Sequence, residues 1–455
     1  MSSAPLASGP QGPDALRPLL DTVLDALRDG RRARGGPLPA GGPDTVTARL
    51  RDALDEVLPD EGDPDALYTV VRALAEGSAD PADPLCTAHL HGPPLAVATA
   101  ADLAASALNP SLDSWDQAPA ASALEALVTR ALAQEVGLAD ALVTTGGTEA
   151  NQLALLLARE AHGGGTQLVC GANAHHSLPR AAWLLGLPAP VVVPAPSGRL
   201  DPTALDEALT GLRRPLLVAA TAGTTDAGLI DPLPEIAGLC GAHGARLHID
   251  AAYGGGLVFS DRHRDRLAGL DRAHTVTLDL HKLGWQPVAA GLLAVRHPRD
   301  LAALAQRADY LNADDDTEAG LPDLLGRSLR TTRRPDILKV AVTLKTLGRS
   351  GLGALVDQVC SSARQFAALV RSRPGLELCD RSWPPDISTV LFRPVGATDD
   401  AVAAVRRQLL TDGEAVLGRA RLDGRLWLKA TFLNPGTRPA DLAALLHLVE
   451  GNTPR

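Results

Sequence analysis

From Ala141 onward the apolar residues come in short runs, separated by longer stretches in which leucine and alanine recur at helical spacing. The runs Ala141–Thr145, Gln167–Cys170, Val191–Val193, Leu216–Ala220, Arg246–Asp250, Thr275–Leu280 and Gly291–Val295 are each of strand length. Several are apolar throughout instead of alternating, the pattern of strands buried on both faces of a mainly parallel sheet. Helix-like stretches between them predict an α/β domain with helices covering a seven-stranded sheet. Upstream, Leu16, Leu19, Leu20, Val23, Leu24 and Leu27 repeat at helical spacing and predict an amphipathic helix over Leu16–Arg28. The Ser/Pro/Gly-rich residues before it read as a flexible tail, and the Gly and Pro clusters in Asp29–Asp44 read as a linker. After Leu338 a long helix to about Val370, strand-like runs at Ile387–Phe392 and Leu426–Thr431, and a last helix near Ala440–Val449 predict a smaller α+β domain. The expected division is therefore 1–85 for the tail and N-terminal helical segment, 86–340 for the large domain and 341–455 for the small one.

Composition narrows the range of partners. With 45% hydrophobic and 21% charged residues among 455, the chain has the balance of a globular protein and not of a disordered one. Aromatic residues make up only 3%, which leaves few platforms on which bases could stack. A formal charge of −10 argues against nucleic acid or an anionic membrane, because phosphate binding needs basic surface. A small-molecule partner fits better. No apolar run approaches the roughly 18 residues that span a bilayer, and the N-terminus lacks the basic start and apolar core of a leader. The five cysteines, Cys86, Cys170, Cys240, Cys360 and Cys379, lie far apart without a C-x-x-C pair, so neither a disulfide framework nor a metal site is signalled. A soluble protein of a reducing cytoplasm is expected.

The candidate chemistry sits at the ends of the strand-like runs. Thr144-Thr145-Gly146-Gly147-Thr148-Glu149-Ala150-Asn151 follows a strand and opens a helix. Glycines let a backbone approach an anion there, and Thr148 offers both a hydroxyl and an amide; an ordinary helix cap after a tight turn explains the same residues. In His248-Ile249-Asp250-Ala251-Ala252-Tyr253-Gly254 a carboxylate ends a buried strand. Ligands of such sheets bind outside the carboxyl ends of the strands, although an Asp capping the next helix is the simpler reading of this motif alone. In Thr277-Leu278-Asp279-Leu280-His281-Lys282 a lysine leaves a buried strand, where it can lose its proton and attack a carbonyl; most lysines are solvated surface charges.

Order ties these fragments together. An anion cradle, then His175, Thr221, Asp250 and Lys282 each fall at or just after a strand end. Pyridoxal 5'-phosphate needs those functions: a phosphate site, a flat partner for its ring, a carboxylate to keep the pyridine nitrogen protonated, and an amine for its aldehyde. With Asn109-Pro110-Ser111-Leu112-Asp113-Ser114-Trp115-Asp116-Gln117, Ala174-His175-His176-Ser177, Thr221-Ala222-Gly223-Thr224-Thr225 and Thr331-Thr332-Arg333-Arg334-Pro335-Asp336-Ile337-Leu338-Lys339, the chain resembles the group II pyridoxal-phosphate-dependent amino-acid decarboxylases from about Asp83 to Glu450. The resemblance implies the fold-type I architecture and a homodimer with its active sites between subunits. It implies that Lys282 joins the cofactor aldehyde, that Asp250 pairs with the pyridine nitrogen, and that His175 stacks on the ring with Ala252 on the other face. Gly147, Thr148 and His281 would hold the phosphate, and Thr221 would lie near the ring. Thr275 departs from the family's usual Ser but keeps the hydroxyl.

Specificity is read from further departures. Aromatic-amino-acid decarboxylases are apolar where this chain has His89-Leu90-His91, and carry Phe, donated by the neighbouring subunit, where it has Asp113. A carboxylate there would suit a distal ammonium, as in lysine, ornithine or 2,4-diaminobutyrate, and the stretch with Asp309-Tyr310-Leu311-Asn312 is similar to bacterial diaminobutyrate and lysine decarboxylases. Asp113 as a turn residue, and His89 and His91 as structural histidines, are the plain alternatives. Leu311–Arg330, rich in acidic residues with Gly320 and Pro322, reads as an exposed loop able to close over the site. The family's proton-donating loop Tyr is Leu324 here, so either another group, His175 being the candidate, supplies the proton, or the reaction is a decarboxylation-dependent oxidative deamination. An aminotransferase, with Lys429 where an Arg would hold the substrate carboxylate, a cysteine desulfurase, and a non-catalytic cofactor-binding regulator are rival readings on the same fold.

Overall fold

Seven strands, β1 (Asp140–Thr144), β2 (Gln167–Gly171), β3 (Val191–Val193), β4 (Leu216–Thr221), β5 (Arg246–Ala251), β6 (Thr275–Asp279) and β7 (Gly291–Val295), form a sheet in the order β1-β7-β6-β5-β4-β2-β3 in the computed structural model, which describes residues 5–162 and 164–453. Strands β6, β5, β4, β2 and β3 pair in parallel, whereas β7 is antiparallel to both β6 and β1. Strand β1 therefore runs in the direction of the parallel set, and all six bring their carboxyl ends to one edge. Strands β4, β6 and β7 are buried at every position, which is why their sequences are apolar runs without alternation. The helix Gly147–Ala161 seals one region of the sheet. Leu153, Leu156 and Leu157 pack with Leu142 of β1 and Leu293 and Val295 of β7, while Leu155 and Ala158 pack with Leu168 and Cys170 of β2.

By its internal contacts the chain divides into two units. One comprises Leu90–Ser361 with Asp380–Thr389; the other comprises Met1–His89, as far as it is described, with Ser362–Cys379 and Val390–Arg455. The N-terminal helices thus cluster with the C-terminal strands, where the sequence suggests a separate segment, and the C-terminal share begins at Ser362 instead of 341.

In this smaller unit β8 (Leu376–Leu378), β9 (Thr389–Pro394), β10 (Gly418–Leu422) and β11 (Arg425–Thr431) form a sheet in the order β10-β11-β9-β8. Its core gathers Phe366, Phe392 and Phe432 with Leu442, Leu445, Leu446 and Val449 of the last helix, Pro439–Gly451. The ring of Phe366 lies 5.1 Å from that of Phe392, edge to face, and 5.0 Å from that of Phe432, tilted, so the sparse aromatics are gathered in one cluster. The first helix is longer than its leucine pattern suggests. It runs over Gly12–Arg34, through part of the expected linker, and stops at Gly35 in the left-handed conformation (φ 77°) with Arg31, Arg32 and Arg34 in its last turn. Gly30 does not break it. A Cβ there would lie 2.5 Å from the Arg72 carbonyl oxygen and 2.7 Å from the Ala75 Cβ, so glycine permits close approach to the helix Ala66–Gly77. Leu19, Leu24 and Leu27 stay largely exposed, and the first four residues of the expected tail lie outside the described residues. Among the described residues no helix is long and apolar enough to cross a membrane. The five cysteines are not joined in disulfides; Cys170, Cys240, Cys360 and Cys379 are buried, and Cys86 is partly so.

Candidate active site

The strand ends of the larger unit surround a cavity of about 320 Å³, within the range of small-ligand sites. Its walls include Gly147, Thr148, His175, Thr221, Asp250, Ala252, His281 and Lys282, all the residues that the sequence singles out for a cofactor. Leu90 also lines it, and His91 lies close enough to weigh on the charge of His281. Both His89 and His91 are exposed, and His89 belongs to the smaller unit. Asp113 is not among the lining residues; it is half-buried, with Oδ1 buried and without a hydrogen-bond partner.

The anion cradle is built by chain geometry. Gly146 links β1 to the helix Gly147–Ala161 at φ 153°, a value that side chains rarely adopt, and Gly147 is tightly enclosed. A Cβ on Gly147 would come to 3.0 Å from the Ala252 Cβ and 3.2 Å from Asp279 Oδ2. The Glu149 carboxylate accepts from the Thr145 amide (2.6 Å) and hydroxyl (2.8 Å), which fastens the turn and leaves the first amides of the helix for an anion.

Lys282 sits in the single turn Leu280–Leu283, just past β6, with Nζ 2.9 Å from Asp279 Oδ2. His281 Nε2 lies 3.5 Å from the same oxygen. Asp279 is 2% exposed at its side chain, so this ion pair is largely out of water. Asp250 ends β5 and is also buried. Its Oδ1 accepts from the Ala252 amide (3.0 Å) and its Oδ2 from Asn151 Nδ2 (2.7 Å), two donors that fix the orientation of the carboxylate. Burial pushes the imidazoles of His175 and His281 below their ordinary value, the nearby Asp250 and Asp279 carboxylates opposing without prevailing.

These residues fit pyridoxal phosphate. Asp279 Oδ1 and Thr221 Oγ1 are buried without hydrogen-bond partners, and each belongs to a residue lining the cavity, as a site kept for a polar ligand requires. A glycine cradle, an amine and a held carboxylate complete the donor and acceptor set that the cofactor needs.

Sequence reasoning quoted Asn151, His248 and Asp279 within motifs without giving them work. Asn151 lies on the buried side of its helix, one turn after the cradle, and its amide touches Asp250, Ser177, His248 and Thr277. An amide on a helix face otherwise formed by Ala150, Ala154, Leu155 and Ala158 is the signal that could have found it. Thr275 gives its hydroxyl to the same network, 2.9 Å from His248 Nδ1. The expected loop Leu311–Arg330 is partly ordered instead: short helices span Asp309–Asn312 and Asp314–Glu318, and Leu324 is buried against Leu112 and Ala118. Leu324 anchors the end of a segment whose residues 314–322 stay exposed, and it offers no proton.

Comparison with known proteins agrees with this geometry. Residues 48–395 match the family model described as the pyridoxal-dependent decarboxylase conserved domain. An L-2,4-diaminobutyrate decarboxylase of Rhizobium meliloti (strain 1021) is 41% identical over 97% of this chain and 91% of its own length. Another of that name from Acinetobacter baumannii is 32% identical over 81% of this chain and 80% of its own. Among solved structures, the glutamate decarboxylase domain of diaminobutyrate-pyruvate transaminase and L-2,4-diaminobutyrate decarboxylase from Vibrio parahaemolyticus superposes with a TM-score of 0.85 at 31% identity, covering 98% of this chain and 97% of that one. A lysine, a carboxylate and a glycine-lined turn at one sheet edge, in a chain matched over most of its length, leave one conclusion: the protein belongs to the pyridoxal-dependent decarboxylase family, with the type I fold, and is a pyridoxal-phosphate-dependent amino-acid decarboxylase.

Proposed function

We propose that this enzyme removes the α-carboxyl group of a basic diamino acid, with L-2,4-diaminobutyrate ahead of ornithine and lysine. The likeness to the Rhizobium meliloti enzyme, extending over nearly the whole of both chains, carries this reading. In the same reading the protein is a cytoplasmic homodimer, and Asp113 of one subunit serves the cavity of its partner, where it meets the substrate's distal ammonium. Its position off its own chain's cavity, with a carboxylate oxygen left unpaired, supports that assignment.

Each residue's part follows from its surroundings. Gly147, Thr148 and His281 hold the phosphate, with helix amides and a compact turn doing most of the work. Lys282 supplies the amine that holds the cofactor's aldehyde carbon, and Asp279 keeps that side chain aimed while free of substrate. Asp250, fixed by two donors, would hold the protonated pyridine nitrogen by a charge-assisted bond. His175 and Ala252 would close the two faces of the ring, with Thr221 beside it. Pyridoxal phosphate bound there supplies an electron-poor ring that takes up the electron pair left when carbon dioxide departs. His175 is the group positioned to manage the proton that replaces the carboxylate.

A panel of L-amino acids assayed for carbon dioxide, hydrogen peroxide and ammonia tests this. Carbon dioxide released from diamino acids without peroxide is the expected result. Preference for an aromatic or acidic amino acid would overturn the substrate class, and stoichiometric peroxide with ammonia would overturn the reaction.

A further inference from the structure

The hydrogen bonds around Asn151 allow its protons to be placed one by one. Asn151 is wholly buried, and an amide side chain has two N–H donors and a carbonyl oxygen with two lone pairs. Nδ2 reaches Asp250 Oδ2 at 2.7 Å and Ser177 Oγ at 2.9 Å, spending both donors. Oδ1 lies 2.9 Å from His248 Nε2 and 3.0 Å from the Thr277 hydroxyl, spending both lone pairs. The amide orientation is fixed, since a carboxylate can only accept.

The rest of the network follows from that orientation. His248 must carry its proton on Nε2, and burial, which lowers its pKa to about 4, keeps the ring neutral, so its Nδ1 accepts from the Thr275 hydroxyl at 2.9 Å. Ser177 Oγ accepts from Asn151, so its own proton is free to reach His175 Nδ1 at 2.8 Å. The Ser177 backbone amide points at the same nitrogen, at 3.3 Å. Two donors converging on Nδ1 leave the His175 proton on Nε2.

We propose that Asn151 is a positioning residue which, through one saturated amide, holds the Asp250 carboxylate and, by way of Ser177, confines His175 to the neutral Nε2–H tautomer. No other side chain of that length does both: Asp has no donor for Asp250, Leu offers neither donor nor acceptor, and Gln is longer by a methylene. The inference rests on the assignment of Asp250 and His175 to the cofactor ring, and it is independent of which amino acid is the substrate. The charged and titratable groups that face His175 are Asp250, His176, Lys282 and Asp279.

The test uses full-length protein with ring-¹⁵N-labelled histidine, His175 being assigned from its loss in a His175→Gln variant. In wild type the His175 nitrogens should report a single neutral tautomer with the proton on Nε2, and Ser177→Ala should shift them toward the Nδ1–H form. Asn151→Ala and Asn151→Asp should weaken pyridoxal phosphate binding by about tenfold or more, as loss of a hydrogen bond to a charged group does, and should shift the pH midpoint of the bound cofactor's visible absorbance. Wild-type His175 protonated on Nδ1, or an Asn151→Ala protein whose affinity and spectral midpoint match wild type, overturns the proposal. Thermal melting identifies a misfolded variant; should Asn151→Ala be one, the response of the His175 nitrogens to Ser177→Ala decides alone. A wild-type chain that binds the cofactor but decarboxylates no diamino acid would refute the substrate reading and leave these outcomes standing.

Discussion

At the scale of single residues the lining of the cavity is largely legible in the sequence, because it follows chain order. Lys282, Asp250, Thr221 and Gly147 each stand where an apolar run stops, and among strands that run the same way every such stop faces the same edge. What chain order does not carry is pairing. The grip of Asn151 on Asp250 spans 99 positions, and nothing local in the sequence signals it. Replacing Lys282 with Ala should abolish borohydride-reducible attachment of the cofactor; a mass increment that survives reduction in that variant would show another amine at work. Asp250→Ala should retain some cofactor binding but lower kcat about 10²- to 10³-fold, as loss of a central electrostatic partner does, and near-normal turnover would contradict its role. Gly147→Ala should weaken cofactor binding with little change in secondary structure, since the added methyl meets Ala252 and Asp279 in the cradle itself; titration of the apo-protein measures this.

At the scale of elements, the strands of the large sheet were readable because burial on both faces writes them as uninterrupted apolar runs. The strands β8 and β10 were not. Leu376–Leu378 is only three residues long, and in Gly418–Leu422 the outward-facing Arg419 and Arg421 break up the apolar signal. The first helix was cut short in the sequence reading because Gly30 and the glycines after it resemble breakers. Its actual role is contact: a Gly30→Val substitution should force the helices Gly12–Arg34 and Ala66–Gly77 apart and cost about 1–3 kcal/mol, the usual penalty of overpacking. Calorimetry should show that as a lower Tm. An unchanged Tm would mean that the two helices do not depend on that close approach.

At the scale of the whole chain, the acid response is set by groups the fold holds out of their ordinary range. Burial lowers His248 to about 4; burial, helped by the Arg246 and Arg296 charges, does the same to His274. Unfolded, both rings take up a proton near pH 6.5. Between that pH and about 4 the unfolded chain binds more protons, so stability must fall as the medium is acidified through this window. Asp102 and Asp140 extend the decline. Burial raises each, but Arg334 with Lys339 for the first, and Arg327 for the second, more than offset it and hold both below the usual carboxylate range. Their stabilisation persists above the unfolded value near 3.9 and is lost as pH falls through the lower folded value. Denaturant midpoints measured from pH 7 to pH 4 should decline steadily, and His274→Gln should flatten the slope. Assembly gives a second prediction. If Asp113 acts across a two-fold interface, a mixture of Lys282→Ala and Asp113→Asn subunits contains dimers in which one site has both wild-type groups. Mixing two nearly inactive preparations should then restore diamino-acid turnover, whereas no recovery after subunit exchange would place Asp113 elsewhere.

The distribution of sulfur has a practical consequence. Burial raises Cys86 and Cys170 to about 11 and Cys240 to about 12, and Cys360 and Cys379 are enclosed as well. Alkylation consumes thiolate, so iodoacetamide at neutral pH should barely mark the native chain, and each carbamidomethyl group gained records an opening event at a known position. The larger unit holds Cys170, Cys240 and Cys360 between Leu90 and Ser361, and the smaller holds Cys86 and Cys379. Timed labelling followed by peptide mapping would therefore clock the breathing of each half separately, with no engineered probe.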